Sequence, residues 1–331
     1  MTEVKSMQKK GLLALLFILL LPGLVYAADR RVRKSRLVIM TLNAEFLWDG
    51  QSPEEGQVDF AWKGDRQAAE AHMREISEVI RDHNPDVVNL VEVENLDALK
   101  TLNRKFLKGM RYRAYLVNGT DSFTGQDVGL LTRIDPDEMD RYREKGESGS
   151  TQKSVSKNYF AKLTVNGAKI ALVGLHFLAR PSDESRKEQR EAQADAMRDL
   201  AVSLAAEGYA VVMLGDYNDY DGNPCCRDHI SSTPITEVLA WAKEMDPDTL
   251  LDDLVNAAQY AAQDGRYTAF WDKDGGNDVD FPEELTSIDH VLLSPALAVK
   301  VRSVEFPHDY DPREVTDHFP VVVHLQLEGR R

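Results

Sequence analysis

Short apolar runs separated by polar stretches recur along most of the chain. Each run is rich in β-forming residues, which is typical of buried strands. We predict strands at residues 37–42, 87–91, 114–117, 128–131, 159–165, 170–175, 210–214, 288–293 and 321–325. Some runs are joined by tight turns and others by helical segments, so the pattern predicts an α/β fold. In this fold two mixed β-sheets pack face to face with helices on the outside, a four-layer α/β sandwich.

Two segments have the period of amphipathic helices. In residues 58–82 the apolar side chains fall on one helical face, and Asn84 followed by Pro85 predicts the end of that helix. Residues 183–206 form a second predicted helix, which is acidic at its start. An Asn-Gly pair at 166–167 predicts a hairpin turn between two of the strands.

Residues 1–27 have the three-part layout of a secretory signal. Three lysines precede an apolar run at residues 11–24, and small residues occupy the cleavage-type positions of 25–27. The alternative is an uncleaved anchor helix, which prefers ~20 apolar residues and is therefore longer than this run. We expect cleavage, no stable membrane anchor afterwards, and a secreted or periplasmic protein. The mature chain would then begin with a short basic linker at residues 28–36 and continue as one catalytic domain over residues 37–327.

The charge and the cysteines of the chain restrict the classes of function. A formal net charge of −15 over 331 residues would repel long nucleic acid rather than collect it. A nuclease of this composition would need a local, metal-mediated grip on its substrate. The cysteines are adjacent, at Cys225 and Cys226, so no disulfide framework is expected and their oxidation state stays open.

Polar side chains cluster at the ends of predicted strands from both halves of the chain. This distribution favours a single domain, because side chains from distant segments can then converge. The candidates are Asn43, Glu92, His176, Asp216, Asn218, Asp289, Asp317 and His318. Each residue alone has an ordinary structural interpretation, such as a turn residue, a helix N-cap or a core histidine. Their joint order along the chain favours a shared site.

In this order the residues resemble the endonuclease/exonuclease/phosphatase superfamily, often called DNase I-like. The resemblance rests on Asn43, the segments 84–95 and 175–178, Gly215-Asp216-Tyr217-Asn218, Ser287-Ile288-Asp289-His290 and Thr316-Asp317-His318-Phe319-Pro320. It covers nearly all of the mature chain. Residues 43–49 and 190–194 are also similar to a largely secreted bacterial branch of the superfamily.

The resemblance implies a metal site. Glu92, helped by Asn43, would hold a hard cation such as Mg²⁺ through oxygen ligands, with Mn²⁺ or Ca²⁺ as alternatives. Asp317 would contribute to the same or to a second metal site. The number of metal ions stays open.

The resemblance also implies catalytic roles. Asp289 would orient His318, which acts as a general base or as an electrostatic partner near phosphorus. Asp216 would position the attacking water, and Asn218 would hydrogen-bond the phosphate or that water. His176 would donate to a non-bridging phosphate oxygen. Whether Asp216 or His318 takes the proton is left open by the sequence.

Three positions depart from the family pattern or match it loosely. Val91 stands where the family usually has Gln, so the support of Glu92 is expected to differ. Asp127 is the candidate partner of His176. Lys157 falls near a place where many relatives have Arg, and a solvated lysine is an equal alternative.

Two loop features have ordinary structural interpretations. Asp272, Asp274 and Glu283 resemble parts of a calcium-binding loop, but the required glycine is misplaced, so we expect a solvated loop. Aromatic residues in or near predicted loops could stack a base, although packing is the more common role for such residues. These aromatic residues are Trp48, Trp62, Tyr220 and Trp271.

The favoured function is a divalent-metal-dependent hydrolase of phosphate esters, in particular a phosphodiesterase or nuclease acting on a small or single-stranded substrate. A phosphomonoesterase, a sphingomyelinase-like lipid phosphodiesterase and a degenerate binding protein are the alternatives. A calcineurin-like enzyme would need an early Asp-x-His and a later Gly-Asn-His, and neither occurs. Zinc binding by His176, Asp216 and His318 is a distant alternative. We expect a monomer whose partner is its phosphate-ester substrate.

Overall fold

The computed structural model describes residues 27–51, 56–221, 238–246, 248–249, 251–276, 278–280 and 283–327. The strands in these ranges are β1 Arg36–Leu47, β2 Val87–Val93, β3 Arg113–Leu116, β4 Asp127–Thr132, β5 Glu138–Asp140, β6 Gly146–Ser148, β7 Thr151–Lys153, β8 Lys157–Val165, β9 Ala168–His176, β10 Ala210–Asp216, β11 Val255–Asn256, β12 Ala269–Phe270, β13 Leu285–Thr286, β14 Asp289–Leu293, β15 Val301–Glu305 and β16 Val321–Gln326. The α-helices are α1 Arg66–His83, α2 Leu96–Thr101, α3 Lys187–Ala206, α4 Val238–Lys243 and α5 Pro295–Ala298.

The larger strands form two mixed sheets of six strands each. The first sheet has the order β15-β16-β1-β2-β4-β3, and the second has the order β11-β14-β10-β9-β8-β5. In each sheet one central pair is parallel, β1 with β2 and β9 with β10, and the other pairs are antiparallel. Parallel neighbours need a crossover connection, and α1 and α3 lie in these two connections.

The alternation of side chains along the strands builds the four layers. Leu37 and Ile39 of β1 belong to the core between the sheets, where Leu172 of β9 also lies. Met40 on the opposite face of β1 packs in the cluster that contains the buried side of α1. Val173 of β9 likewise packs in the cluster that contains α3. The predicted two-sheet α/β sandwich with outer helices is therefore confirmed.

The two predicted helices form, but both begin later than expected. The helix predicted over 58–82 begins only at Arg66, because Asp65 caps it by accepting hydrogen bonds from the backbone of Gln67 and Ala68. It ends at His83, as the proline signal predicts. The segment 183–206 starts with a 3₁₀ turn and becomes α-helical only from Lys187. Terminal turns of this kind are common where a side chain caps the chain early.

The predicted hairpin at 166–167 is present. Asn166 and Gly167 have φ angles of 53° and 84°, and Val165 pairs with Ala168 where β8 turns into β9. These positive φ angles match the twist that a two-residue turn needs between antiparallel strands.

Residues 28–36 pack against the sheet end at which β1 begins. Asp29 forms a β-bridge with Ile134, and the buried Arg31 pairs with Asp29 at 2.8 Å. The predicted signal segment lies outside the described residues except for its last position, and the two cysteines lie outside them entirely. In the described ranges, no helix combines the length and the apolar character needed to cross a membrane.

Candidate active site

Four candidate residues from distant parts of the chain meet at one end of the two sheets. The side-chain nitrogen of Asn43 lies 3.3 Å from Glu92 Oε1, 3.3 Å from Asp216 Oδ2 and 3.5 Å from His318 Nε2. Asn43 is on β1, Glu92 on β2 and Asp216 at the end of β10, while His318 directly precedes β16. Because these ends face the same side of the sandwich, the sheets bring the predicted residues together.

A local irregularity of the strands turns Glu92 toward this point. Glu92 has a φ of 61°, and the pairing of β1 with β2 shifts register between Asn43 and Leu47. A bulge of this kind re-aims a side chain at a strand end. The backbone N–H of Phe46 donates to Glu92 Oε2 at 3.2 Å, so backbone supports this carboxylate. Val91, at the departure from the family pattern, is fully buried in the core between the sheets.

His318 and Asp289 form a buried hydrogen-bonded pair. Nδ1 of His318 lies 2.7 Å from Asp289 Oδ2, and the side chain of Asp289 is fully buried. Burial opposes the charged imidazolium, but the negative charges of Asp289 and Asp317 outweigh it and raise the pKa of His318 well above its usual value. The bond at Nδ1 fixes the ring and leaves Nε2 facing Asn43, as the predicted orienting role requires.

His176 lies deeper in the same site. Its Nε2 is 3.5 Å from Asp216 Oδ2 and 4.0 Å from Glu92 Oε1. Burial, reinforced by the positive charge of Lys157, lowers the pKa of His176 well below its usual value. Its Nδ1 has no hydrogen-bond partner among the described residues.

The predicted pairing of Asp127 with His176 is not formed. Asp127 Oδ1 instead accepts a hydrogen bond from the backbone of Gly119 at 2.8 Å, which ties down the loop after β3. Lys157 is also not solvated: it is buried and lies 3.3 Å from Asp121. Both polar groups therefore support the loops around the site.

The turn after β10 fixes Asp216 and Asn218. Asp216 Oδ1 accepts from the backbone N–H of Asn218 at 2.8 Å, and the Asn218 side chain donates to the carbonyl of Phe177 at 3.3 Å. Gly215 precedes them with a φ of 143°, and a Cβ there would lie 2.0 Å from the carbonyl oxygen of Leu175. Glycine is needed at this position because the strands approach too closely for a side chain.

Glu45 belongs to the site, although the sequence analysis assigned it no role. It accepts a hydrogen bond from the backbone N–H of Asp317 at 3.1 Å. Burial and the charges of Asp317 and Glu92 raise the pKa of Glu45 to about 8. The available signal was its position two residues after Asn43 at the end of a predicted strand, where the other polar candidates also cluster. Regular alternation does not place it, because Glu45 has a φ of 44° in the irregular part of β1.

The remaining acids of the site are also crowded. Burial, with the nearby charge of Asp289, raises the pKa of Asp216 to about 7. Burial raises the pKa of Asp317 to about 6, with Glu92 and Asp289 adding to it and His318 opposing it. Glu45, Asp216 and Asp317 therefore lie in surroundings that disfavour their negative charge.

The donor set fits a hard divalent cation. Ligand atoms of Asp216, Asp289 and His318 lie within 4.8 Å of one another. Glu92 is next to this group, because the Asn43 side-chain nitrogen contacts both Glu92 and Asp216. Carboxylate oxygens in excess over cationic side chains are the donors that Mg²⁺, Mn²⁺ and Ca²⁺ prefer. The Asn43 side-chain oxygen accepts from the backbone of Glu45 at 3.0 Å, so in this arrangement its nitrogen faces the carboxylates.

A second acidic group lies outside this site. The side-chain oxygens of Asp272 and Asp274 accept hydrogen bonds from Gly275 and Gly276, and both aspartates are exposed. The buried member of the group is Glu284, whereas the calcium-loop resemblance includes Glu283. Its oxygens accept from backbone N–H groups, so local turns account for the arrangement.

The aromatic candidates divide into packed and exposed side chains. Trp48 is fully buried, Tyr220 is 5% exposed, and Trp62 stacks on His72 with ring centroids 4.2 Å apart. Trp271 differs, because 62% of it is exposed and it lines a cavity next to His318. Packing therefore accounts for three of the four.

The sequence model of the endonuclease/exonuclease/phosphatase family matches residues 40–318. The matched span contains every candidate site residue and most of the chain. The chain belongs to this family. The family comprises hydrolases of phosphate esters, which supports assigning the chain to that class of enzyme. No curated protein sequence gives a significant match.

Solved structures of the family share the fold at low sequence identity. The truncated TDP2 of Caenorhabditis elegans is 17% identical, with a TM-score of 0.54 over 88% of this chain and 97% of that one. A family protein from Bacteroides thetaiotaomicron is 16% identical, with a TM-score of 0.52 over 88% and 98%. The human Nocturnin catalytic domain with bound sulfate is 16% identical, with a TM-score of 0.55 over 90% and 96%. These likenesses confirm the DNase I-like fold of the family protein described here.

Proposed function

We propose that this family member is a divalent-metal-dependent phosphodiesterase, of the nuclease type, in which water attacks phosphorus. The observation that carries the proposal is the meeting of Asn43, Glu92, Asp216 and His318 around one point. An oriented imidazole, an amide and several carboxylates suit phosphoryl chemistry, because it needs positioning and charge compensation more than a protein nucleophile.

The metal would be held by Glu92, helped by Asn43, and by Asp317, beside the donor group of Asp216, Asp289 and His318. When bound, Mg²⁺, or Mn²⁺ or Ca²⁺ in its place, would neutralise phosphate oxygens and steady the departing oxygen. The family membership and the excess of acidic oxygen donors support this assignment.

The side chains of this chain would divide the remaining work. Asp289 holds His318 through Nδ1, so that Nε2 faces the phosphate. Asn218 binds a phosphate oxygen or the water, and His176 donates through Nε2 to a non-bridging oxygen. Asp216 positions the water, and Asp216 and His318 are the two groups placed to receive its proton.

We also propose that the enzyme acts outside the cytoplasm as a monomer. Its N-terminal layout supports export with cleavage after residue 27, and the domain would then extend over residues 37–327 behind the basic segment 28–36. N-terminal sequencing of the exported protein tests this, and a start at residue 1 would contradict it.

A hydrolysis panel tests the function. The EDTA-treated protein is assayed with Mg²⁺, Mn²⁺ and Ca²⁺ on plasmid DNA, oligonucleotides, bis-p-nitrophenyl phosphate, sphingomyelin and inositol phosphates. We expect metal-dependent cleavage of phosphodiesters and none by His318→Ala. Hydrolysis of inositol phosphates or sphingomyelin alone would replace the nuclease assignment by a phosphomonoesterase or a lipid phosphodiesterase. No hydrolysis with any metal would favour a binding protein.

A further inference from the structure

A cavity of about 480 Å³ opens directly beside the catalytic residues. His318, Asn218 and Asp317 are among the residues that line it, and the roles proposed above do not use the rest of its lining. Its size falls in the range of pockets that hold small organic molecules. A group attached to the phosphate at His318 would therefore project into this space.

One wall of the cavity is apolar and rigidly tied to the catalytic histidine. It comprises Tyr220, Ala269, Phe270, Trp271, Leu285 and Ile288. Ala269 forms a β-bridge with His318, and the backbone N–H of Phe270 donates to the carbonyl of Asp317 at 2.8 Å. Trp271 is held in turn by its backbone hydrogen bond to Glu284 at 2.9 Å. The distance between this wall and His318 is thus fixed by main-chain contacts.

A second part of the lining, residues 180–182, is supported by a buried arginine. Arg190 is fully buried on α3, and its guanidinium donates to the carbonyls of Arg180 at 2.8 Å and Pro181 at 2.9 Å. Arg180 has a φ of 71°, a strained conformation that these bonds help to hold. Arg180 is exposed and is among the residues that line the cavity.

The side chains that line the cavity favour a flat aromatic group as its ligand. Trp271 lines the cavity and is 62% exposed overall, whereas Tyr220, which also lines it, is only 5% exposed. An exposed indole offers a flat face for stacking, and a guanidinium also stacks on aromatic rings. The volume of about 480 Å³ is enough for one nucleoside-sized group and too small for a base-paired duplex, and charged side chains such as Asp272 and Lys273 line it beside the apolar wall.

We infer that the cavity binds one flat aromatic ring of nucleobase size that is attached to the scissile phosphate, with Trp271 as its stacking platform. The inference rests on the proposed function and narrows its substrates to nucleotide esters and single-stranded ends. An aryl phosphate ester also presents an aromatic ring beside its phosphate, and the test below distinguishes aryl esters from nucleotides.

The test compares kcat and KM for three diesters: a thymidine dinucleotide, its abasic analogue with the same sugar-phosphate backbone, and bis-p-nitrophenyl phosphate. Base stacking predicts that Trp271→Ala raises KM for the dinucleotide roughly 10- to 100-fold. The abasic analogue should change less than about twofold, because it has no ring to stack. Trp271→Phe should recover most of the loss.

A matched control is Tyr260→Ala, which removes another exposed aromatic outside the cavity lining. It should leave all three diesters unchanged. A rise in KM for bis-p-nitrophenyl phosphate alone would assign the cavity to aryl esters rather than nucleotides. Equal KM values for the dinucleotide in wild type and Trp271→Ala, with bis-p-nitrophenyl phosphate also unchanged, would overturn the inference.

A binding measurement keeps the inference separate from the catalytic proposal. Thymidine 5′-monophosphate should quench tryptophan fluorescence in His318→Ala, and a further Trp271→Phe change should remove the quenching. If no diester is hydrolysed but the quenching is seen, the proposed function fails and the cavity assignment stands. If hydrolysis occurs and no quenching is seen at saturating nucleotide, the cavity assignment fails alone.

Discussion

The carboxylates at the two ends of the same strands have opposite electrostatic surroundings. At the basal end, where β1 begins, Asp135 lies 2.5 Å from Arg30 and 3.1 Å from Arg113, and Asp86 lies 3.0 Å from Arg133. Burial there would raise the pKa of Asp135, but its bonds to Arg30 and Tyr115 outweigh burial and lower the pKa to about 2. The basal carboxylates are therefore compensated by the chain itself.

At the catalytic end, the negative charges of the carboxylates are not fully compensated by positive side chains. The pKa values of Glu45, Asp216 and Asp317 are raised to about 8, 7 and 6, with burial as the largest cause of each. In the described part of the chain, no arginine or lysine forms an ion pair with these three residues, and histidines are their neighbours. The contrast teaches that the fold can neutralise buried acids, and that it does not do so where we propose a metal.

The largest expected effect concerns the oriented histidine. Asp289→Asn should cut kcat/KM by roughly 10²- to 10⁴-fold, because the ring loses the charged acceptor that fixes its orientation. Rates are measured on bis-p-nitrophenyl phosphate, and thermal unfolding confirms that the variant is folded. A wild-type rate would end the pairing hypothesis.

The next effect concerns the metal. Glu92→Gln should raise the Mg²⁺ concentration needed for half-maximal activity by at least about tenfold, because a neutral amide is a weaker ligand for a hard cation. The melting temperature should stay close to wild type, because the amide oxygen of glutamine can still accept the hydrogen bond from the backbone N–H of Phe46. An unchanged metal titration would refute its role.

For the basal end we predict the converse: a substitution there should lower stability without lowering activity. Asp135→Asn should lower the free energy of unfolding by about 1–3 kcal/mol, because charged hydrogen bonds to Arg30 and Arg113 are lost. The activity of the folded enzyme should not change. Asp140→Asn, which removes an exposed partner of Arg143, is the control and should cost less than about 1 kcal/mol.

The pH dependence of stability sharpens the same contrast. The pKa of Asp135 is lowered to about 2 in the folded protein, against ~3.9 for an unfolded aspartate. Its stabilisation is therefore present above about pH 4 and is lost as the pH falls toward 2. Wild type and Asp135→Asn should differ in melting temperature at pH 6 and converge near pH 2. A constant difference across this range would contradict the account.

The smallest effect should have the opposite sign. Glu45→Gln removes an acid whose pKa is raised by folding, so at pH 7 it should stabilise the metal-free protein by roughly 0.5–2 kcal/mol. This gain should vanish below about pH 4, where the acid is protonated in both the folded and the unfolded state. Glu78→Gln, on the exposed face of α1, is the control and should have little effect. Destabilisation by Glu45→Gln in EDTA would show that the catalytic end is not under repulsion.

Much of the fold and the site was accessible from sequence because both depend on local patterns. Apolar runs marked the strands, and the polar residues that follow them, such as Asn43 and Asp216, are brought together wherever strand ends share an edge. The start of α1 was misplaced because apolar periodicity continues through residues 58–65, while Asp65 decides where the helix begins.

Other features depend on contacts between distant segments. The positive φ of Glu92 arises from the bulged pairing of β1 with β2, and sequence periodicity carries no trace of it. The cavity at Trp271 requires the packed structure, because its lining comes from segments that are far apart in the chain. The contacts of Arg190 with Arg180 and Pro181 span only ten and nine residues, but the apolar and charged pattern of the sequence does not indicate that this arginine is buried.

The most direct test of the uncompensated catalytic end is calorimetric titration of Mg²⁺ into the metal-free protein. Wild type and Asp135→Asn should bind the ion with the same affinity, and Glu92→Gln should bind it at least about tenfold more weakly. Equal binding by wild type and Glu92→Gln, or no binding by wild type, would contradict the claim that the acids at this end are left without a positive partner so that they can bind a cation.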